Sequence, residues 1–267
     1  MNTKGYAYFA SKHFLMRLLL LLIGLFYFSA LHAQQVKVLT YNIHHANPPA
    51  EPGKIDMEAI ARVINDSGAE IIGIQEVDIH VSRSEMINQA EKLAELTGME
   101  YYFSKGIDLE DGYYGTLLLS KHKIVGKRRY DLPMPVKSEN RSLAIIDVEL
   151  PGGQTISLAN THLDLKAENR SAQAEFINEL GELYNRPLIL VGDLNAKPGS
   201  KSIEILSQYF VRNTESNAPT SPNVNTKNEI DYIMVLKSTP FEWKEYRVIP
   251  ERNASDHLPV YAEILFK

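Results

Sequence analysis

The chain of 267 residues is 44% hydrophobic and 23% charged, and it contains no cysteine. This composition excludes a disordered, collagen-like or coiled-coil protein and is typical of a globular protein that buries a sizeable core. The lack of cysteine excludes a disulfide framework, a cysteine nucleophile and a lipid-modified cysteine.

The first 33 residues have the pattern of a secretory signal peptide, and residues 34–267 are predicted to form one domain. Three cations precede an apolar run over 18–28, which ends just before Ala33 and Gln34. The run is shorter than the ~20 residues that cross a bilayer comfortably. We therefore expect cleavage after Ala33, no stable membrane span afterwards, and a secreted or periplasmic bacterial protein. An uncleaved membrane anchor is the alternative.

The leader contains three of the 28 cations and none of the 33 acids, so its removal changes the net charge from −5 to −8. An acidic mature protein argues against strong non-specific binding to DNA, which needs many Lys and Arg side chains against phosphates. The charge does not exclude a nuclease, because active-site carboxylates and a metal ion account for part of it.

Predicted strands and helices alternate in the first part of the mature chain. A β-rich segment over 36–42 opens the domain, and apolar residues at helical spacing follow over 55–68. A buried strand is predicted over 70–77. The sequence Ser82-Arg-Ser-Glu85 predicts a capping box for a second helix, which ends at Gly98.

Short strands dominate the middle of the chain. They are predicted over 101–104, 114–120, 123–130, 142–150 and 154–161. We expect these strands to form a meander. Because they follow one another without helices, strands outnumber helices in the predicted domain.

The last part of the chain returns to mixed elements. Phe176, Leu180 and Tyr184 mark a third helix, and the apolar run over 187–191 predicts a strand that is covered on both faces. A short helix near 200–208 and two strands, over 230–236 and 258–266, complete the pattern. The chain as a whole is thus predicted to be a single α/β domain.

Polar residues recur where the predicted strands end. They are Asn42, Glu76, His162, Asp193 with Asn195, Asp231, and Asp256 with His257. Their carboxylate and amide oxygens are ligands that suit Mg²⁺, and ligands bind at strand ends in α/β folds. Taken singly, most are also explained as turn residues, helix caps or a core histidine. Glu76 is harder to explain in this way, because a glutamate that ends a buried strand needs a partner to offset its desolvation.

Six short motifs in this order resemble the endonuclease/exonuclease/phosphatase superfamily of metal-dependent phosphoesterases. They are Leu39-Thr-Tyr-Asn42, Ile74-Gln-Glu76, Asn160-Thr-His162-Leu-Asp164, Val191-Gly-Asp193-Leu-Asn195, Ile230-Asp231-Tyr232 and Ser255-Asp256-His257-Leu-Pro259. The resemblance spans essentially the whole mature chain. It implies an α/β fold of the four-layered α/β/β/α sandwich type, in which two packed mixed sheets are flanked by helices and the site lies where their loops converge.

The resemblance also implies roles for these residues. Glu76 is the implied principal ligand of Mg²⁺ or Mn²⁺, with Asn42 and Asp256 close to the ion or its waters. Asp193 and Asn195 resemble the pair that aligns the attacking water, and Asp231 with His257 resembles the carboxylate–histidine couple beside it. Relatives of the deoxyribonuclease and sphingomyelinase type also have a histidine at the position that matches His162.

Other residues are expected to contact substrate. Arg141 and Arg83 match positions where relatives hold a phosphate-contacting arginine, although Arg83 is equally explained as a solvated loop charge. Of His44 and His45, one is expected to face the cleft as an extra phosphate or water contact, and we assign this to His44. Arg170 and Gln173 lie three apart on a helix and are expected to anchor the loop at Asp164.

Together these features predict a secreted Mg²⁺-dependent phosphoesterase, acting as a phosphodiesterase, nuclease or phosphatase through metal-assisted attack of water. The substrate is expected to be a small molecule, a phospholipid head group or a nucleic acid, and the protein a monomer. Zinc is disfavoured because oxygen ligands dominate. The alternative is a non-catalytic surface binding module on the same fold. Its mark would be the loss of catalytic residues, and those residues are present here.

Overall fold

The computed structural model describes residues 34–215 and 219–267, and the predicted signal peptide lies outside the described residues. The strands are β1 (Gln34–Asn42), β2 (Ile71–Ile79), β3 (Glu100–Leu109), β4 (Gly112–Ser120), β5 (Lys123–Asp131), β6 (Ser142–Glu149), β7 (Thr155–His162), β8 (Leu188–Asp193), β9 (Phe210–Arg212), β10 (Asp231–Leu236), β11 (Phe241–Val248) and β12 (Val260–Phe266). The α-helices are α1 (Met57–Ser67), α2 (Gln89–Thr97), α3 (Ala167–Glu182) and α4 (Lys201–Leu206). Two single 3₁₀ turns lie at His44–Ala46 and Ser82–Ser84.

The strands form two mixed six-stranded sheets. Sheet A has the order β11-β12-β1-β2-β4-β3, and sheet B has the order β5-β6-β7-β8-β10-β9. Each sheet contains one parallel pair, β1 with β2 and β7 with β8, at its centre. Parallel neighbours need a crossover connection, and a helix supplies it in each sheet, α1 in sheet A and α3 in sheet B. The two sheets are therefore built around the same βαβ unit.

Three apolar layers hold the sandwich together. Alternate residues of β1 show the arrangement: Val36 and Val38 pack into the layer between the sheets, while Leu39 and Tyr41 pack into the layer under α1 and α2. A third layer joins sheet B to α3 and α4. Strands that are buried on both faces read as continuous apolar runs. The arrangement confirms the predicted four-layered α/β/β/α sandwich.

A buried polar network ties the two sheets together next to the strand ends. The side-chain nitrogen of Asn160 in sheet B donates to the backbone oxygens of Ile74 and Leu117 in sheet A, at 2.9 and 3.0 Å. Its oxygen accepts a hydrogen bond of 2.7 Å from Gln75. The sheets approach so closely here that a Cβ atom at Gly73 would lie 2.9 Å from Cγ of Asn160. This network fixes the register of one sheet against the other.

The predicted start of the second helix is wrong. Residues Ser82–Ser84 form a 3₁₀ turn, the left-handed residue Glu85 follows it, and α2 begins only at Gln89. Asn88 caps α2, because its side-chain oxygen accepts a hydrogen bond of 3.2 Å from the backbone nitrogen of Glu91. The hydroxyl of Ser82 instead donates to Glu110. The serine that the local pattern predicts as a helix cap therefore makes a tertiary contact instead.

The predicted meander is divided between the two sheets. Strands β3 and β4 pair at one edge of sheet A, whereas β5, β6 and β7 pair in sequence order at one edge of sheet B. Only residues 121–122 separate β4 from β5, so the chain crosses between sheets within a two-residue connection. Strands β9 and β11 were not predicted. Strand β11 is interrupted by a bulge between Trp243 and Glu245, which disturbs its alternation.

None of the helices in the described part of the chain is long and apolar enough to span a membrane.

Candidate functional site

The polar residues at the strand ends meet at one edge of the sandwich, and both sheets contribute to it. Asn42 ends β1 in sheet A and Asp193 ends β8 in sheet B. The side-chain nitrogen of Asn42 donates to Oδ2 of Asp193 at 3.1 Å and to Oε1 of Glu76 at 3.0 Å. Asn42 therefore joins the carboxylates of the two sheets.

Three neighbouring strands of sheet B place their polar residues side by side. In the strand register, Asp193 lies opposite His162 on one side and opposite Asp231 on the other. Strand β10 is antiparallel to β8, so Asp231 reaches this edge by beginning its strand rather than ending it. Nε2 of His162 lies 3.5 Å from Oδ2 of Asp193, and Nε2 of His257 lies 3.9 Å from the same oxygen. Asp193 is thus the centre of the cluster.

Asp231 and His257 form a hydrogen-bonded pair. Nδ1 of His257 lies 2.9 Å from Oδ2 of Asp231, and the hydroxyl of Thr220 donates to the same carboxylate. Burial lowers the pKa of His257, but the charge and hydrogen bond of Asp231 outweigh it and raise the pKa to about 10. His257 is consequently a cation at neutral pH.

His162 has the opposite protonation state. Burial lowers its pKa, and the positive charge of Arg141 lowers it further, to about 3. His162 is consequently neutral at neutral pH, although it faces the same carboxylate oxygen as His257. The site therefore holds one charged and one neutral imidazole around Asp193.

The pKa of Asp193 is raised, first by burial and then by the negative charge of Asp231. The backbone nitrogen of Asn195 donates to its Oδ1 at 2.8 Å, and the side chain of Asn195 donates to the backbone oxygen of Leu163 at 2.9 Å. Asn195 adopts a left-handed backbone with φ of 48°. These contacts hold Oδ1 in place, and Oδ2 faces the two histidines.

Glu76 enters the site from a bulge in β2. The pairing of β2 with β4 shifts between Ile74 and Val77, and Glu76 has a φ of 61°. A bulge re-aims a side chain, and left-handed backbone at a residue other than glycine costs about 1–3 kcal/mol. Burial raises the pKa of Glu76, but the neighbouring imidazole of His45 and the hydrogen bond from Asn42 outweigh it and hold the pKa well below its usual range.

The turn His44–Ala46 connects the two carboxylates on the sheet A side. Nδ1 of His45 lies 3.7 Å from Oε2 of Glu76, and Nδ1 of His44 lies 4.0 Å from Oδ1 of Asp256. The two imidazole rings are 4.4 Å apart. Asp256 is the most exposed of these acids, with a side chain that is 43% exposed.

The donor atoms fit a hard divalent cation. Asp193, Asp231 and His257 each place one donor atom within 4.8 Å of the other two, but the protonated imidazole of His257 has no lone pair for an ion. Oδ1 of Asp231 is buried and makes no hydrogen bond to a described residue. On the sheet A side, the oxygens of Glu76 and Asp256 are available. The side-chain oxygen of Asn42 accepts one hydrogen bond, from the backbone nitrogen of His44, and keeps a second lone pair for an ion, while its nitrogen donates to Glu76.

The two predicted arginines lie in different settings. Arg141 is buried and pairs with Glu139 at 2.9 Å, and it lines a small cavity of about 10 Å³ together with His162. Its Nε makes no hydrogen bond within the described residues. Arg83 is half-exposed, and both its Nε and its Nη2 donate to Asp78 at 2.8 Å. Arg141 therefore shares a cavity with a residue of the cluster, while the guanidinium of Arg83 is bonded to Asp78.

Several supporting residues were not predicted. Ser255 donates to the backbone oxygen of Asn42 at 2.7 Å, and Thr220 holds Asp231. The predicted anchoring of the Asp164 loop is confirmed, because Gln173 accepts from its backbone nitrogen and Arg170 donates to its backbone oxygen, both at 3.0 Å.

Comparison with protein families gives one family description. The sequence model of the Endonuclease/Exonuclease/phosphatase family matches residues 39–257, which include five of the six motifs that carried the resemblance and the sixth as far as His257. A search of the curated proteins finds no significant match.

Solved structures with the same fold are numerous. An endonuclease/exonuclease/phosphatase family protein from Bacteroides thetaiotaomicron superposes with a TM-score of 0.74 at 23% identity, covering 88% of this chain and 99% of that one. The mannosyl-6-phosphatase of B. thetaiotaomicron VPI-5482 gives 0.71 at 23% identity, over 86% and 100%. TDP2 from D. rerio, complexed with a single-stranded DNA product, gives 0.64 at 18% identity, over 86% and 99%. At these identities the similarity establishes the fold.

Proposed function

The chain belongs to the Endonuclease/Exonuclease/phosphatase family, and on this premise we propose that it is a divalent-metal-dependent hydrolase of phosphoesters. The observation that carries the proposal is the convergence of Asn42, Glu76, His162, Asp193, Asp231 and His257 at one edge of the sandwich. No structural need explains it, because packing two buried carboxylates next to each other opposes folding.

The metal ion would be held by Glu76 and Asp256, with Asn42 orienting Glu76. When bound, such an ion neutralises charge on the phosphoryl oxygen and orients the substrate. We propose Mg²⁺ or Mn²⁺, because most of the available donors are oxygens.

Asp193 is the residue best placed to accept a proton from the attacking water. Its Oδ1 is held by Asn195, and its Oδ2 accepts a hydrogen bond from Asn42 and faces both histidines. A carboxylate with a raised pKa is a stronger base than an ordinary one, which suits proton abstraction near neutral pH. Asn195 acts by fixing the orientation of Asp193.

The two histidines and Arg141 stabilise the charge of the phosphoryl group. Asp231 keeps His257 protonated. The positive charge of His257 is therefore in place before the reaction, and no groups of the protein need to reorient to supply it. His162 is neutral and offers an N–H to a phosphoryl or leaving oxygen. Arg141 is buried beside His162 and adds a second fixed positive charge.

For the substrate we propose a phosphorylated small molecule, or a small or single-stranded phosphodiester, rather than duplex DNA. The domain is acidic, and an excess of carboxylates opposes binding along the phosphates of a duplex. Similar folds occur in a protein named mannosyl-6-phosphatase and in one solved with single-stranded DNA product.

A substrate panel tests this proposal. Purified protein with Mg²⁺ or Mn²⁺ is assayed on sugar phosphates, inositol phosphates, sphingomyelin, single-stranded and plasmid DNA, RNA and bis(p-nitrophenyl) phosphate, each with and without EDTA. We expect EDTA-sensitive turnover on a small or single-stranded substrate. Binding without turnover on every member of the panel would favour the non-catalytic binding module instead.

We also propose that residues 1–33 direct export and are then removed. The support is the order of cations, apolar run and small residues before Gln34. Mass analysis of protein recovered outside the cytoplasm should give a chain that begins near Gln34. Retention of Met1 would contradict the proposal.

A further inference from the structure

The turn His44–Ala46 has no role in the hydrolysis proposed above, yet the fold maintains it in an unfavourable conformation. All three residues have left-handed backbone, with φ of 47°, 43° and 59°, a conformation that residues other than glycine rarely adopt in succession. The buried side chain of Gln89 donates to the backbone oxygen of His45 at 2.7 Å and accepts from the backbone nitrogen of Asp78 at 2.9 Å. Gln89 therefore ties the turn to β2.

The turn aims one imidazole nitrogen at Glu76. Nδ1 of His45 lies 3.7 Å from Oε2 of Glu76, and it is buried without a hydrogen bond to any residue in the described part of the chain. The distance is too long for a good hydrogen bond. The other oxygen of Glu76 is taken by Asn42. The ring nitrogen of His45 and the carboxylate oxygen of Glu76 thus face each other without forming a hydrogen bond.

This spacing fits two ligands of one ion. Atoms that each lie about 2.1 Å from a metal ion are at most about 4.2 Å apart, and the separation here is 3.7 Å. Nδ1 of the neighbouring His44 is already engaged, because it lies 3.2 Å from the backbone oxygen of Asn47. Imidazole is a preferred ligand of transition-metal ions, whereas Mg²⁺ prefers oxygen.

We propose that Nδ1 of His45 is a nitrogen ligand of the metal ion held by Glu76, and that it biases the site toward a transition-metal ion over Mg²⁺. The inference rests on the proposed function, because it adds a ligand to the same metal site. Gln89 is the positioning residue of this ligand, since it fixes the backbone from which His45 projects.

Electron paramagnetic resonance with Mn²⁺ as the probe tests the ligand directly. A nitrogen bound to Mn²⁺ gives a hyperfine coupling, which we expect in the wild-type protein and expect to be lost in His45→Asn. Asparagine is the substitute because it tolerates left-handed backbone. The matched control, His44→Asn, should keep the coupling. By calorimetry, the preference for Mn²⁺ over Mg²⁺ should fall about tenfold or more in His45→Asn.

Two results would overturn the inference: a coupling that persists unchanged in His45→Asn, as one from His162 or His257 would, or a wild-type protein that binds Mn²⁺ without any nitrogen coupling. Melting temperatures on the same samples show that both variants fold. Calorimetry of Glu76→Gln separates this failure from failure of the metal site itself. If Glu76→Gln binds Mn²⁺ as tightly as the wild type, the metal assignment falls and His45 with it.

Discussion

Two of the buried carboxylates of sheet B, those of Asp147 and Asp193, have opposite surroundings. Asp147, on β6, receives two hydrogen bonds from Arg128, at 2.8 and 2.6 Å, and one of 2.6 Å from Ser157. Arg186 lies 3.6 Å away. Burial alone would raise the pKa of Asp147, but these donors and charges outweigh it and lower the pKa. The arginines and the serine around Asp147 therefore fully compensate the charge of its carboxylate.

Asp193 lies two strands away in the same sheet, and its surroundings do the reverse. Its neighbour across the ladder is another carboxylate, Asp231, and burial together with that negative charge raises its pKa. The positive charge of His257 only partly offsets this effect. An arrangement that opposes folding is typical of a site kept for chemistry. Burial of an acid alone therefore does not mark a candidate catalytic residue, whereas a neighbouring carboxylate that raises its pKa does.

Replacement of the central acid should break activity and not the fold. We expect Asp193→Asn to lower kcat by about 10³-fold or more, since it removes both the proposed base and a partner of two histidines. Because it also removes charge repulsion with Asp231, the melting temperature should stay level or rise. Kinetics and thermal unfolding on one preparation check both. A variant that loses melting temperature and activity in parallel would mean that Asp193 is structural.

The two histidines should act as one unit with the acid they surround. We expect His162→Ala and His257→Ala each to lower kcat by about 10²- to 10⁴-fold. The double variant should lose much less than the product of the two losses, because all of these groups serve the same step. Steady-state kinetics of the three variants gives the comparison. A single variant whose kcat stays within about threefold of wild type, a loss far smaller than that range, would remove that histidine from the mechanism.

Replacement of the satisfied acid should produce the opposite result. Asp147→Asn weakens charged hydrogen bonds, and we expect a loss of about 2 kcal/mol in the free energy of unfolding, with kcat unchanged. Urea unfolding measures the loss. The matched control is Asp108→Asn, which removes an exposed carboxylate paired with Lys105 and should change stability little. Equal losses in both variants would show that the environment of Asp147 is not special.

The smallest expected effect concerns pH. The contributions of Asp147 and Asp193 to the free energy of unfolding should change with pH in opposite directions. The pKa of Asp147 is lowered by folding, so its contribution is present above the unfolded value of about 3.9 and is lost as pH falls through the folded pKa. The advantage of the wild type over Asp147→Asn should therefore shrink in acid.

Asp193 should show the reverse trend in EDTA-treated protein. Folding raises its pKa, so wild-type stability falls as pH rises from about 3.9 toward the folded pKa. Any advantage of Asp193→Asn should appear above this window and vanish below it. Urea unfolding of the two variants and the wild type from pH 3 to pH 8 gives the comparison. Parallel curves for both variants would contradict the contrast between the acids.

The sequence predicted the strand ends of the site because a polar residue after an apolar run is a local feature. Glu76 and Asp193 are such cases, and their motifs also carried the family resemblance. Local pattern failed at Ser82, whose hydroxyl binds Glu110 rather than capping a helix. It also gave no role to Gln89, because the contact with His45 joins residues 44 positions apart. Contacts of this kind exist only after the chain has folded.

The same limit explains why the two acids could not be told apart from sequence. Asp147 interrupts an apolar strand just as Glu76 does, at a bulge inside β2 rather than at the strand end that the sequence predicts. The partner that distinguishes Asp147, Arg128, is supplied by the neighbouring strand of the sheet. The family resemblance separated them only because Asp147 lies outside the motifs.

The proposal of metal-dependent hydrolysis at Glu76 is tested most directly by measuring metal-dependent turnover in Glu76→Gln. The wild-type protein and the variant are assayed on the best substrate of the panel with Mg²⁺, with Mn²⁺ and with EDTA, and their melting temperatures are compared. We expect turnover by the wild type that EDTA abolishes, no metal-dependent turnover by Glu76→Gln, and a variant that folds normally. Full metal-dependent activity in Glu76→Gln would contradict the assignment of Glu76 as a metal ligand.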